Sequence, residues 1–185
     1  MKLFFYTKNP IFEMQTNTLI MKLNEFLLPE FLHETANTRK LLASLPEEHF
    51  AYKSSEKAMS LSQLANHIAE IPTWVPATFL HPELDFSKFK YEAPNHSTIA
   101  NLLAFYDKNI AEATQLMNEV SNETLQENWT MRKGDEIYFT MPKLSVYRMF
   151  VMNHTIHHRG QLTAYLRALD VKFPGMYGPT ADEMP

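Results

Sequence analysis

The stretch Tyr147–Leu166 limits most strongly what this chain can fold into. Apolar side chains recur there every three or four residues, which predicts one long helix with one buried face: Tyr147, Val151, Leu162 and Tyr165. In the middle of that face lie His154, His158 and Gln161. A buried polar group without a partner costs about 1–3 kcal/mol. Three of them within two turns therefore need a structural or functional reason.

His154 and His158 are four residues apart, so both imidazoles can reach one point in space, as two metal ligands on one helix do. The alternative is a pair of hydrogen-bonded core histidines, because eight histidines in one chain often give this spacing by chance. His157 points about a third of a turn away and is left out of the ligand set, although an exchange with His158 stays open. Thr155 stands where a zincin requires glutamate, so that type of metalloprotease is not predicted.

Composition excludes several classes of protein. With 185 residues, 45% of them hydrophobic, the chain can bury one core and form one domain. The net charge of −4, without a basic run, disfavours a nucleic-acid partner. No apolar run approaches the roughly 18 residues of a membrane span, so no membrane partner is expected. We predict a cytoplasmic protein that acts on a small-molecule substrate.

The chain contains no cysteine. A thiolate from the protein can therefore be neither a metal ligand nor a nucleophile, and any thiol chemistry must come from a bound small molecule. We also expect residues 1–22 to be an N-terminal extension outside the core, before a single domain over residues 23–185. The first residues resemble a signal peptide only weakly, because their apolar run is short and no small-residue cleavage site follows.

Four helices are predicted, over residues 24–45, 61–80, 97–120 and 142–169. Ser60 and Gln63 form a capping box before the second helix, and Ser97 caps the third. Pro72 and Pro76 are expected to kink or shorten the second helix. Residues 81–95 are predicted to be a surface connection, and residues 122–142 to contain a short hairpin or extended excursion. The pattern favours an all-α four-helix bundle.

His67 interrupts the apolar stripe of the second helix. Side chains from facing helices converge in a bundle core, so His67 joins His154 and His158 as a third candidate metal ligand. Three imidazoles leave coordination positions open, as in catalytic sites, and suit zinc, nickel, copper and iron alike. Gln161 is the candidate catalytic side chain, unless it is a core amide bonded to backbone. Glu70 either orients an imidazole or is solvated.

Three segments together resemble the DinB-like (DinB/YfiT) family: Leu64-Ala65-Asn66-His67-Ile68, His154-Thr155-Ile156-His157-His158-Arg159-Gly160-Gln161-Leu162, and Tyr177-Gly178-Pro179-Thr180-Ala181-Asp182-Glu183. The resemblance runs from about Phe26 to Glu183 in layout. It implies a four-helix bundle with up-down-down-up topology, a homodimer, and a divalent metal, zinc or nickel, bound by three histidines. Transferred by position, these ligands are His67, His154 and His158.

The resemblance also suggests a reaction, because relatives in the wider superfamily include transferases and isomerases that use bacillithiol or mycothiol. We predict a metal-dependent enzyme that transfers a low-molecular-weight thiol or catalyses hydrolysis. One alternative is a non-catalytic metal-binding or stress-response module. Another is a helical interaction protein without metal, whose histidines are buried and satisfied.

Overall fold

The computed structural model describes residues 21–184. The expected extension over residues 1–22 falls almost wholly outside these residues and stays a prediction. Within residues 21–184, no helix has the length and apolar character needed to cross a membrane.

The helices are α1 (Asn24–Ala43), α2 (Leu61–Glu70), α3 (Trp74–Phe79), α4 (Ile99–Glu119), α5 (Asn122–Gln126), α6 (Lys143–Val146) and α7 (His154–Ala168). Single 3-10 turns lie at Glu47–His49 and Ile71–Thr73, and a π-helical segment, Tyr147–Asn153, joins α6 to α7. The strands are β1 (Glu83–Asp85), β2 (Asn128–Lys133) and β3 (Glu136–Pro142).

The core lies between the four long helices. Helix α4 packs along α1 and α2, and α7 packs against α2 and α1. One apolar cluster, around Leu64, Ile68 and Leu162, fills the half near α2 and the end of α7. A second, around Phe31, Met117 and Tyr147, fills the half near α3 and the π-helical segment. The apolar stripes of the sequence are therefore buried as their spacing predicts.

The prediction of an all-α four-helix bundle with up-down-down-up topology is wrong, because the fold also contains a three-stranded mixed sheet. Strands β2 and β3 form an antiparallel hairpin where a short hairpin or extended excursion was expected, and β1 pairs with β2 in parallel. Strand β1 comes from the segment that was predicted to be a surface connection. The fold class is therefore mixed, with helices and a small sheet.

Asp85 explains why this segment joins the sheet. The buried Asp85 carboxylate accepts hydrogen bonds from the backbone N–H of Gly134 at 2.9 Å, the backbone N–H of Ser87 at 2.9 Å and the Ser87 hydroxyl at 2.7 Å. These donors hold the pKa of the Asp85 carboxyl far below its usual range. Gly134 adopts a φ of +59° at the hairpin turn, a conformation that suits glycine. A single carboxylate thus ties β1 to the turn between β2 and β3.

The second predicted helix is divided. The expected capping box is present, since Ser60 Oγ accepts from the Gln63 N–H at 3.2 Å and Gln63 Oε1 accepts from the Ser60 N–H at 2.8 Å. Helix α2 ends at Glu70, and a 3-10 turn that contains Pro72 leads into α3. This interruption confirms the expected effect of the proline. The cap of α4 is Thr98 instead of Ser97, one residue later than predicted.

The last predicted helix is continuous but not uniform, because its first half widens into the π-helical segment. Lys143 anchors its start. The buried Lys143 Nζ donates to the Phe79 carbonyl at 3.1 Å and to Glu127 Oε2 at 2.8 Å. Helix α6 is thereby fixed to the end of α3 and to the residue before β2.

The C-terminal tail is held by ionic contacts. The buried Arg159 pairs with Glu34 on α1, and the Tyr177 hydroxyl donates to Glu34 Oε2 at 2.9 Å. Asp182 accepts two hydrogen bonds from Arg167, at 3.1 and 2.9 Å. The tail residues that carry the family resemblance therefore attach the C-terminal segment to α1 and α7.

We predict that Asp85→Ala lowers the free energy of unfolding by about 1–3 kcal/mol, because it removes the buried carboxylate that accepts three partly buried hydrogen bonds. Urea unfolding followed by circular dichroism measures this. Asp135→Ala is the matched control, since Asp135 is exposed in the same hairpin. Equal stability of the two variants would contradict the role given to Asp85.

Candidate metal centre

The structure brings the three predicted histidines together. His67 comes from α2, and His154 and His158 come from successive turns of α7. Each offers one ring nitrogen, and these three atoms all lie within 4.8 Å of one another. The Nε2 atoms of His67 and His154 are 3.2 Å apart. This cluster, the three-histidine centre, could hold a metal ion.

Neighbouring structure fixes the helices that carry the centre. The capping box starts α2 two turns before His67, and Ile68 beside His67 is part of the apolar core. His154 is the first residue of α7, directly after the π-helical segment. Such wide turns occur often at functional sites in proteins. His157 is exposed and lies outside the centre.

Gln161 sets the orientation of His158. The His158 Nδ1–H donates to Gln161 Oε1 at 2.7 Å, because an amide oxygen can only accept. Nε2 of the neutral ring then carries the free lone pair, which is the atom a metal binds. Gln161 is exposed instead of being a core amide. Its catalytic role stays a prediction, whereas its contact with His158 is part of the site.

Burial favours the neutral form of His154 and of His158. Burial, and after it the neighbouring His158 and His67, lower the pKa of His154 to about 4. The backbone carbonyl of Phe150 acts in the opposite direction and raises the pKa of His154. Among the described residues, none forms a hydrogen bond of good geometry with the buried Nδ1 of His154. Burial also lowers the pKa of His158, and the bond to Gln161 opposes it. Neutral imidazole is the form that coordinates metal, so the donor set fits a divalent ion at neutral pH.

Glu70 is neither a fourth member of the centre nor a freely solvated side chain. Its Oε2 atom lies 3.9 Å from His67 Nδ1, too far for a hydrogen bond. The same oxygen accepts a hydrogen bond from the Tyr91 hydroxyl at 2.7 Å. Partial burial, followed by this contact, raises the pKa of Tyr91 to about 12. Sequence reasoning missed Tyr91, because it lies in an irregular segment without periodicity.

Three surface cavities are lined by histidines of the centre. His67 lines one cavity of about 510 Å³ together with Lys57 and Gln63, here called the Lys57 cavity. It also lines a second of about 390 Å³ together with Trp74, here called the Trp74 cavity. His158 and Gln161 line a third, of about 360 Å³. Of the two tryptophans in the chain, Trp74 lines the second cavity, whereas Trp129 is fully buried.

Comparison with known proteins agrees with the resemblance in the sequence. The model of the DinB family matches residues 14–185. The uncharacterized protein YrdA of Bacillus subtilis is 30% identical over 165 residues, which are 86% of this chain and 90% of YrdA. The uncharacterized protein YjoA of the same organism is 25% identical over 145 residues, which are 77% of this chain and 88% of YjoA.

Solved structures share the fold. A DinB-like protein from Bacillus cereus superposes with a TM-score of 0.62 at 24% identity, over 84% of this chain and 98% of that protein. The crystal structure of Bacillus subtilis YjoA superposes with a TM-score of 0.64 at 19% identity, over 82% of this chain and 97% of the other. These similarities extend over nearly the full length of the solved proteins.

We predict that the metal-free protein loses stability as the pH falls from about 6.5 to about 4. Unfolded His154 takes up a proton near its ordinary pKa of 6.5, whereas folded His154 resists protonation until about pH 4. The unfolded state therefore binds more protons in this window, and the stability present above pH 6.5 is lost as the pH falls through 4.

Urea unfolding in the presence of a chelator, between pH 7.5 and 4.5, measures this dependence. His154→Phe should make this dependence shallower, and His157→Phe at the exposed neighbour should leave it unchanged. The same slope in wild type and His154→Phe would show that His154 is not the group responsible.

Proposed function

The chain belongs to the DinB family, and we propose that it is a metal-dependent enzyme in which His67, His154 and His158 bind one divalent ion, zinc or nickel. The observation that carries this proposal is the meeting of three imidazole nitrogens within 4.8 Å of one another. Three neutral nitrogen ligands are typical of catalytic sites that keep a position free for water or substrate. The cavities that reach His67 and His158 would give a substrate access to that position.

A divalent ion held by three neutral ligands keeps its full charge and lowers the pKa of a bound water or thiol toward neutrality. The residues of this chain would orient the metal ligands and select the substrate. Gln161 holds His158 in the tautomer that presents Nε2. We further propose that Gln161, which lines a cavity with His158, contacts the substrate and is catalytic.

The reaction we favour is transfer of a low-molecular-weight thiol to an electrophile. The sulfur–carbon bond forms, the bond from that carbon to the leaving group breaks, the leaving group departs with the bonding electrons, and the thiol proton passes to solvent. The chain has no cysteine to compete with the added thiol. We place the protein in the cytoplasm, where thiols are kept reduced. Hydrolysis by water at the same centre is the alternative reaction.

The partners we propose are few. A small-molecule substrate fits the size of the cavities, which lie within the range of ligand pockets. The net charge of −4 argues against nucleic acid as a partner. A homodimer without a membrane partner completes the proposal, and it rests on the family resemblance.

We predict that the purified, tag-free protein binds about one equivalent of zinc or nickel, because three imidazoles and open positions satisfy one ion. His67→Ala, His154→Ala and His158→Ala should each lose it. His157→Ala is the matched control and should retain it, since that side chain lies outside the centre. Elemental analysis after incubation with each metal and gel filtration measures the stoichiometry.

The control residue makes this test specific. Loss of metal in His157→Ala together with retention in His158→Ala would contradict the assigned ligand set. No metal in the wild type would remove the enzyme proposal and leave a helical protein with buried histidines. One equivalent without any turnover would favour the non-catalytic metal-binding or stress-response module.

We predict that the metal-loaded protein accelerates consumption of bacillithiol by 4-nitrobenzyl chloride at least about tenfold over His154→Ala. The reason is that the centre raises the fraction of thiolate near neutral pH. A colorimetric thiol assay follows the reaction without background, because the chain has no cysteine. Equal rates for wild type and variant, with metal bound only to the wild type, would exclude thiol transfer to this electrophile and direct attention to hydrolysis.

A further inference from the structure

The Trp74 cavity is built mainly from apolar and aromatic side chains. Its volume is about 390 Å³, and its walls include Trp74 from α3, Leu84 from β1, and Phe86, Phe89 and Tyr91 from the segment after β1. His67 and Glu70 also line it. The cavity therefore places an apolar space directly beside one candidate metal ligand.

The aromatic wall of this cavity is held in place before any ligand binds. The Trp74 ring stacks on Phe150 with centroids 5.4 Å apart and planes inclined by 10°, and Phe150 stacks in the same way on Phe139 of β3 at 5.0 Å. Phe86 is fixed through its backbone N–H, which donates to the Arg132 carbonyl of β2 at 2.9 Å. Such a preformed surface lowers the entropy cost of ligand binding.

The charges around the cavity favour an uncharged group. The ionisable side chains that line it are His67, Glu70 and Tyr91, and the Glu70 carboxylate accepts a hydrogen bond from the Tyr91 hydroxyl. Among the described residues that line it, none is lysine or arginine. Lys57 lines the neighbouring Lys57 cavity, which shares only His67, Glu70 and Tyr91 with this one. An anionic group would meet the Glu70 carboxylate without a compensating cation.

We propose that the Trp74 cavity binds an uncharged aromatic group of the substrate and so places the reacting carbon beside His67. The proposal deepens the proposed function and rests on it for the reaction, but the binding of the aromatic group depends only on the cavity. A cavity of about 150 Å³ lined by apolar side chains is enough to hold benzene. The larger volume of the Trp74 cavity accommodates a single aromatic ring or two fused aromatic rings.

The test measures binding of an uncharged aromatic probe, naphthalene-2-methanol, to the full-length protein by isothermal titration calorimetry. The anionic counterpart, 2-naphthoate, should bind at least about tenfold more weakly. Both titrations are done with metal-free protein in chelator and with zinc-loaded protein. Binding of the uncharged probe without metal keeps this test independent of the metal centre.

Two matched substitutions locate the bound probe. Ala77→Phe fills the Trp74 cavity and should weaken binding of naphthalene-2-methanol about tenfold or more, whereas Ala93→Phe in the Lys57 cavity should change it by less than about twofold. Phe89→Ala gives a second variant with little risk to folding, because Phe89 is 44% exposed, and it should also weaken binding. Thermal melts verify that each variant is folded.

The outcomes separate this proposal from the proposed function. Three results would overturn the aromatic site: unchanged binding of naphthalene-2-methanol in folded Ala77→Phe and folded Phe89→Ala, no binding to the wild type, or a preference for 2-naphthoate. If any of these results accompanies one equivalent of bound metal, the metal centre stands and only the cavity is misassigned. Binding of the probe to a protein that takes up no metal would keep the cavity and remove the metal centre.

Discussion

The buried ion pair between Arg159 and Glu34 is the contact on which the arrangement of this fold depends. Arg159 is 1% exposed, and its guanidinium also donates to the Glu34 carbonyl at 3.0 Å and to Thr38 Oγ1 at 3.1 Å. Removal of one partner from such a pair costs about 3–5 kcal/mol, because the other charge stays buried. Arg159 follows His158 directly, so the pair fixes the rotation of α7 that turns its histidines toward α2.

The sequence predicted the parts of the site that depend on helical periodicity. His154 and His158 stand one turn apart on a helix, and any partner helix that buries this face must meet them. His67 could be added because it interrupts the apolar stripe of α2. The capping box of Ser60 and Gln63 was also predictable, since both of its bonds lie within four residues. The cap of α4 is also local, yet its position was predicted one residue too early, because Ser97 and Thr98 are both good capping residues.

The remaining features depend on contacts between distant residues. Strand β1 has three residues, too few for an alternating pattern, and it joins the sheet because Asp85 binds the N–H of Gly134, 49 residues away in the chain. Tyr91 reaches Glu70 from an irregular segment, where side-chain direction follows no period. Arg159 is buried and paired with Glu34, which only the position of α1 against α7 determines.

The π-helical segment Tyr147–Asn153 has a consequence for comparison among relatives. A π turn holds about one residue more than an α turn for a similar advance along the axis. It therefore absorbs an inserted residue locally, while the core residue Val146 before it and His154 after it keep their orientation toward the rest of the fold. A homologue one residue shorter in this segment can keep the same three histidines, with the last two on an ordinary α-helix. An alignment gap here would mark a difference in helix geometry, and the histidine site would be retained across it.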